Sequence, residues 1–281
     1  MDEDSMDDLA GHTAVVTGGG SGIGRAIVLE LASTGMNVVI ADIEDDAGGA
    51  VASEAEALGA RAIAVHTDVS DFASVQALAD AAYAEFGAVH VLCNNAGVLV
   101  FGDMQDLKIE DWNWLLGVNV FGVLNGIYAF LPRMLAAGEP GHIVNTASIA
   151  ALSGRGIYGV SKSTILNITE TLRTNLDDTP IGVSVLCPGM LNTKIVAAQR
   201  NRPASMGPKA HEPFGAEPVS FGVDPAHCGR RVREAIMSNE LYVFAGIPKG
   251  HEAGLKDGPV PHAQALVDAI DAGVVDEKPI A

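Results

Sequence analysis

Cysteine is scarce in this chain. Its 281 residues hold three, Cys93, Cys187 and Cys228, odd in number and far apart. That spacing offers neither a disulfide framework nor a metal-ligand set, and Cys93 and Cys187 sit in apolar runs, so they read as buried thiols. Basic residues are also few: 17 Lys and Arg against 35 Asp and Glu give a net charge of −18, which argues against a nucleic acid or an anionic membrane as partner. No stretch approaches the roughly 18 uninterrupted apolar residues of a membrane span. The opening "MDEDSMDDLAGH" is acidic, the wrong sign for a secretory or mitochondrial leader, so a cytoplasmic location is expected. His12, His66, His90 and His142 are scattered without ligand spacing, and no metal site is expected. Aromatic residues make up only 5% of the chain, whereas glycine is abundant at 32 and hydrophobic residues reach 48%. This balance suits an α/β domain with tight turns.

Apolar runs alternate with helix-like segments from the start. Residues 13–17, 37–41, 61–66, 89–93, 142–147 and 182–187 are continuous and rich in Val and Ile, as in strands buried on both faces of a parallel sheet. Between them lie helical stretches at about 22–34, 46–58, 71–86, 104–137 and 157–177, followed by 224–238 and an edge strand at 241–245. The repeated βα unit predicts one Rossmann-like, doubly wound parallel sheet flanked by helices, in a single domain over 1–281. From about 190 to 222 the pattern dissolves into Pro, Gly and Ala after the sixth strand, at the edge where such sheets bind ligands, and a substrate lid is expected there. The tail, about 250–281, holds "AQALVDAIDAG", which reads as a short helix or an oligomer contact.

"TGGGSGIGRA" (17–26) joins the first strand to the first helix. Gly18, Gly22 and Gly24 give the spacing G-x3-G-x-G. With Ser21 and Ile23 between them, they permit a tight turn that lets backbone N–H groups and a helix N-terminus approach a pyrophosphate. Asp42 closes the second strand, followed by Ile43. A carboxylate there accepts hydrogen bonds from both adenosine ribose hydroxyls and repels a 2′-phosphate. No basic residue follows Asp42 directly, so NAD is favoured over NADP. Further along, "GIYGVSKST" (156–164) places Tyr158 one helical turn before Lys162, on the same face.

Together these motifs resemble the short-chain dehydrogenase/reductase family, over nearly everything from Leu9 to Gly246. The resemblance implies a catalytic set of Asn119, Ser148, Tyr158 and Lys162. It places the cofactor against the glycine loop, Asp42 and Ile43, Asp68 and Val69 of "DV", and Asn95, Ala96 and Gly97 of "NNAG". On the nicotinamide side stand Tyr158 and Lys162 with Pro188, Gly189, Leu191 and Thr193 of "PGMLNT". Removing a proton from an alcohol oxygen needs a base, and a free phenol near pKa ~10 is too weakly dissociated at neutral pH. Lys162 and a positive nicotinamide would favour the Tyr158 phenolate. Ser148 would hold the substrate oxygen, and Asn119 would hold a water that links Lys162 to solvent. One departure stands out: Ser148 precedes Tyr158 by ten residues, closer than the family usually shows, with Ser153 as the fallback serine.

The resemblance also places Val98, Leu99, Phe101, Leu152, Ile157 and Met190 against the substrate, with Ile195, Met206, Phe214 and Phe221 from the lid. This apolar set suits a bulky hydrophobic secondary alcohol or ketone, although Arg155 and Lys194 stand nearby. "LNGIYAFLPRMLAAGEPGHIV" and "NELYVFAGIP" resemble bacterial enzymes that oxidise benzylic alcohols of lignin-derived aryl ethers, and hydroxysteroid dehydrogenases share the scaffold. An NAD-dependent alcohol dehydrogenase is expected. An NADH-dependent ketone reductase and a catalytically silent NAD(H)-binding sensor or scaffold remain open as alternatives. Trp112 and Trp114 read as packing or subunit contact, and the family's long helices imply a homodimer or homotetramer.

Overall fold

A computed structural model describes residues 8–153, 156–207 and 222–247, together with Met6, Asp268, Asp271 and Ala272. Phe214, Phe221, Arg155, residues 208–221 of the expected lid and almost all of the expected tail lie outside the described residues. The chain runs β1 (Thr13–Thr17), α1 (Gly22–Ser33), β2 (Asn37–Asp42), α2 (Asp45–Ala57), β3 (Ala62–His66), α3 (Phe72–Phe86) and β4 (Val91–Asn94). It continues through α4 (Ile109–Leu116), a π-helical turn (Gly117–Phe121), α5 (Gly122–Ala137), β5 (Gly141–Thr146), α6 (Ala150–Ser153), α7 (Gly156–Asn175) and β6 (Ile181–Pro188). Two 3₁₀ segments (Lys194–Asn201 and Ala204–Met206), α8 (Ala226–Ser238) and β7 (Tyr242–Ala245) complete the described order.

The seven strands form one sheet in the order β3-β2-β1-β4-β5-β6-β7, and every pair is parallel. Strand order reverses between β1 and β4, so a crevice opens there at the carboxyl ends of the strands. Continuous apolar runs made strands because both faces are covered. Val15 of β1 faces a core shared with α3, α5 and α7 (Val75, Phe130, Ile165). Its neighbours Ala14 and Val16 face another core shared with α1, α2 and α8 (Ile27, Val51, Val232). The exception is β3, expected to be buried on both faces; it sits at the sheet edge and is only partly covered. β7 is the opposite edge, as its position after the last helical stretch suggested.

Two boundaries differ from the sequence reading. The fourth helix begins at Ile109, not 104, because Asp111 accepts from the backbone N–H of Lys108 (2.9 Å) and caps the helix there. The continuous helical run Ile109–Ala137 is also apolar enough to cross a membrane by length and composition, with mean hydropathy 1.6 in its most apolar window, yet 56% of that window is buried inside the protein. The second difference lies in the expected lid. Its described part is not irregular: it winds into the two 3₁₀ segments, and a bridge between Leu191 and Val223 closes its base.

Candidate active site

The loop after β1 is built around glycines that nothing larger could replace. Gly18 has φ +64° and Gly22 φ +53°, a region that costs any side chain. A Cβ on Gly24 would stand 2.1 Å from the Gly18 carbonyl oxygen, so α1 can approach the loop only without one. Thr17 and Asn95 lock this loop to the exit of β4. The Thr17 hydroxyl accepts from the N–H groups of Asn95 (3.0 Å) and Ala96 (3.1 Å), and Asn95 Nδ2 donates to the Thr17 carbonyl (3.0 Å). Asp42, at the end of β2, accepts from Gly20 N–H (2.8 Å) and Glu44 N–H (3.0 Å). Each of its oxygens keeps a further lone pair for a ligand.

Across the crevice, β5 ends near Ser148, and α7 carries Tyr158 and Lys162. Lys162 Nζ donates to the Thr146 carbonyl (2.8 Å) and lies 5.7 Å from the Tyr158 ring centre. All three side chains are buried or largely so, and all three line the crevice. Burial pushes the Tyr158 phenol up to about 12, with a hydrogen bond from the Ser148 side chain opposing it. Burial pushes Lys162 down to about 8. Lys162 and a positive nicotinamide were expected to favour the phenolate; in the protein alone loss of hydration dominates, and both groups are driven toward their neutral forms.

Asn119 sits in the π-helical turn and is fully buried. Its Oδ1 accepts from Val98 N–H (2.8 Å), and its Nδ2 donates to the Val98 carbonyl (3.0 Å) and the Ser161 hydroxyl (3.0 Å). The side chain is thus a clamp between the β4 exit and α7. Such a turn re-aims one residue inside a helix.

One cavity of about 620 Å³ joins the glycine loop and Asp42 to Ser148, Tyr158 and Lys162; Asn119 stands behind its wall. Gly18, Ser21, Gly22, Ile23, Asp42 and Ile43 line it from the first two βα junctions. Asp68 and Val69 line it after β3, and Asn95, Ala96, Gly97, Val98, Leu99 and Phe101 after β4. Pro188, Gly189, Met190, Leu191 and Thr193 close the side beyond β6, joined by Ile195 and Met206. Gly24 supports the loop from behind. Leu152 and Ile157, expected against the substrate, are instead 1% exposed and packed in core clusters, because α6 and the start of α7 turn those positions inward. Ser153 ends α6, and its side chain is outside the described residues; Ser148 lines the cavity.

The cavity also contains residues that sequence reasoning missed. Trp114, read as packing or subunit contact, faces it from α4 with Asn113, and Gly117 and Val118 face it from the π-helical turn. A tryptophan just upstream of Gly117 and Asn119 was the available signal. Glu44, Arg200, Asn201 and Pro203 line it too, and a Pro- and Gly-rich loop gives no periodicity from which to place the last three. Among the described residues, no three His, Cys, Asp or Glu side chains gather as a metal site.

The chain matches the family described as short chain dehydrogenase over residues 12–204. It is 32% identical over 275 residues to the C alpha-dehydrogenase of Sphingobium sp. strain SYK-6, covering 94% of this chain and 88% of that protein. It is 39% identical over 224 residues to the 1-deoxy-11-beta-hydroxypentalenate dehydrogenase of Streptomyces avermitilis, covering 77% of this chain and 83% of that one. Among solved structures, a short chain dehydrogenase/reductase from Burkholderia phymatum in complex with NAD aligns with a TM-score of 0.82 at 37% identity, covering 98% of this chain and 99% of that one.

Proposed function

This chain belongs to the short-chain dehydrogenase family, and from that premise we propose that it interconverts a bulky hydrophobic secondary alcohol, aromatic or steroid-like, with its ketone, using NAD. The observation that carries this reading is that a glycine loop with its acidic partner Asp42 and the Ser148–Tyr158–Lys162 group line one continuous cavity. NAD, when bound, supplies the hydride acceptor. The glycine loop fits it: a Cβ on Gly22 would stand 3.2 Å from Thr193, filling the gap between the loop and the β6 exit that a pyrophosphate needs. Asp42 would hold the ribose hydroxyls with its unused lone pairs, and its charge opposes a 2′-phosphate.

At the reacting end, Ser148 would donate to the substrate oxygen and hold it beside the Tyr158 hydroxyl. Tyr158 would take the alcohol proton in oxidation and return it to the ketone in reduction. Lys162, depressed to about 8, can gain and lose a proton near neutral pH and so can pass it onward. The relatives' names support the substrate side of the reading: the proteins at 32% and 39% identity are named C alpha-dehydrogenase and 1-deoxy-11-beta-hydroxypentalenate dehydrogenase. The cavity wall of Val98, Leu99, Phe101, Trp114 and Met206 is apolar, as a ring-bearing carbinol requires.

Assembly follows the same reading. Phe121 and Tyr128, two helical turns apart, are 55% and 68% exposed, and Val160 on α7 is exposed as well. This stripe suits burial against a second copy, in a homodimer or homotetramer.

The test follows NADH absorbance with NAD or NADP and a panel of aryl carbinols, steroid alcohols and small aliphatic secondary alcohols. Turnover of a hydrophobic carbinol with NAD, and far less with NADP, is expected. NADH binding with silence on every alcohol and ketone would replace the enzyme by a sensor.

A further inference from the structure

We propose that Arg202, paired with Asp111, is a positioning residue that fixes the substrate wall of the cavity and so sets its preference for bulky alcohols. This rests on the reading of the cavity as a secondary-alcohol site. The segment from Lys194 to Met206 crosses from the β6 exit to α4 as two 3₁₀ turns, and Ile195, Ala198 and Met206 face the cavity from it. Two ties hold this strap. At the cofactor end, Glu44 accepts from Arg200 (3.0 Å to Nε) and from Asn201 (2.8 Å), with the Arg200 and Glu44 side chains 34% and 38% exposed. Water competes freely for such a pair.

The other tie is sealed. Arg202 Nη1 stands 2.7 Å from Asp111 Oδ1, with the two side chains 1% and 6% exposed. Nη2 of the same guanidinium donates to the Met206 carbonyl (2.6 Å), and its carbon lies 5.3 Å from the Trp114 ring centre. One planar group therefore touches the start of α4, the end of the strap and the aromatic ring that faces the cavity. Asp111 is itself fixed, since Oδ2 caps the helix through Lys108 N–H. The guanidinium is poorly used for stability: Nε and Nη1 find no well-aligned hydrogen-bond acceptor among the described residues. A buried pair with idle donors is a weak stabiliser, and geometry is the better reason for it. What it positions is chemically relevant, because Trp114, Ala198, Met206 and Tyr158 share one apolar cluster apart from the two main cores. The space left between that ring and the Tyr158 hydroxyl decides which carbinol substituent fits.

The experiment compares wild type, Arg202→Met and Arg202→Lys as full chains. For Arg202→Met, the KM of an aryl carbinol should rise at least about tenfold with kcat within about twofold, and selectivity over a small aliphatic alcohol should fall. NADH affinity, read by fluorescence, should stay within about twofold, and Arg202→Lys should lie between the two. Trypsin should cut the strap at Lys194 or Arg200 faster in Arg202→Met, a readout that needs no turnover. If Arg202→Met does not fold, Arg202→Lys decides alone: an aryl-carbinol KM raised about threefold or more supports the proposal, and an unchanged KM overturns it. A lowered melting temperature with KM, selectivity and strap cutting all unchanged would show a purely structural pair and overturn it. If wild type turned over no alcohol or ketone, the functional reading would fail, while unchanged strap cutting would separately remove the anchor.

Discussion

Tyr158 and Lys162 are both driven toward neutrality by the same cause, loss of water, yet in opposite directions along the pH scale: up to about 12 and down to about 8. Four-residue spacing revealed their shared helix face, but not that outcome, which depends on how deeply the crevice buries them. Asp42 shows a similar division. Its position at a strand end was legible, whereas its bonds to Gly20 and Glu44 N–H groups were not, because they depend on the path of the glycine loop. Asp42 therefore holds the loop and, in the proposed function, would also receive the ribose. Asp42→Ala should weaken NAD binding by roughly tenfold or more, as expected when charge-assisted hydrogen bonds worth about 1.5–3 kcal/mol are lost, and should narrow the gap between NAD and NADP. Titration of the variant with each dinucleotide checks this.

Among the elements, strands were the most legible. Runs such as Ala14–Val16 carry apolar side chains to both faces, and only a strand covered on both sides needs that. Helical interruptions were invisible, because apolar periodicity passes smoothly through the π turn that turns Asn119 toward Val98. Leu152 and Ile157, placed against the substrate by the resemblance, are buried in the core for a related reason: a motif match does not say which way a short helix faces. Trp114, read as packing or subunit contact, is buried as packing requires, but one side of it is also cavity wall. The glycine loop was legible because backbone approach permits few residue types. Gly24→Ala makes this concrete: its Cβ would sit 2.1 Å from the Gly18 carbonyl, so the loop must shift away from α1. NADH affinity should fall at least about tenfold while the circular dichroism spectrum stays that of wild type. Unchanged affinity would mean that the loop does not hold the cofactor.

For the whole molecule, acid should be more damaging than base. His142 on β5 is buried beside Ser184, and its pKa is pushed down from 6.5 to about 3, first by burial and then by the Arg173 charge. The unfolded chain then binds a proton that the folded chain refuses. Stability from the neutral ring is complete above about 6.5 and declines as pH falls from there toward 3. Urea midpoints measured from pH 7 to 5 should therefore fall, and His142→Gln, less stable at pH 7, should fall less steeply; parallel curves would contradict this. Assembly can be tested at the same scale. Replacing exposed Phe121 and Tyr128 together by Glu should yield monomers in analytical ultracentrifugation if these helices form the subunit contact, with the wild type remaining a dimer or tetramer.

The most direct test of the account compares wild type with Tyr158→Phe in NAD-linked oxidation of the best aryl carbinol, with NADH binding measured on both. Loss of the hydroxyl should lower kcat by about 10²–10⁴-fold, the range for a positioned acid–base group, while NADH binding persists. Turnover that survives the substitution unchanged would contradict the proton-transfer role on which the proposed chemistry rests.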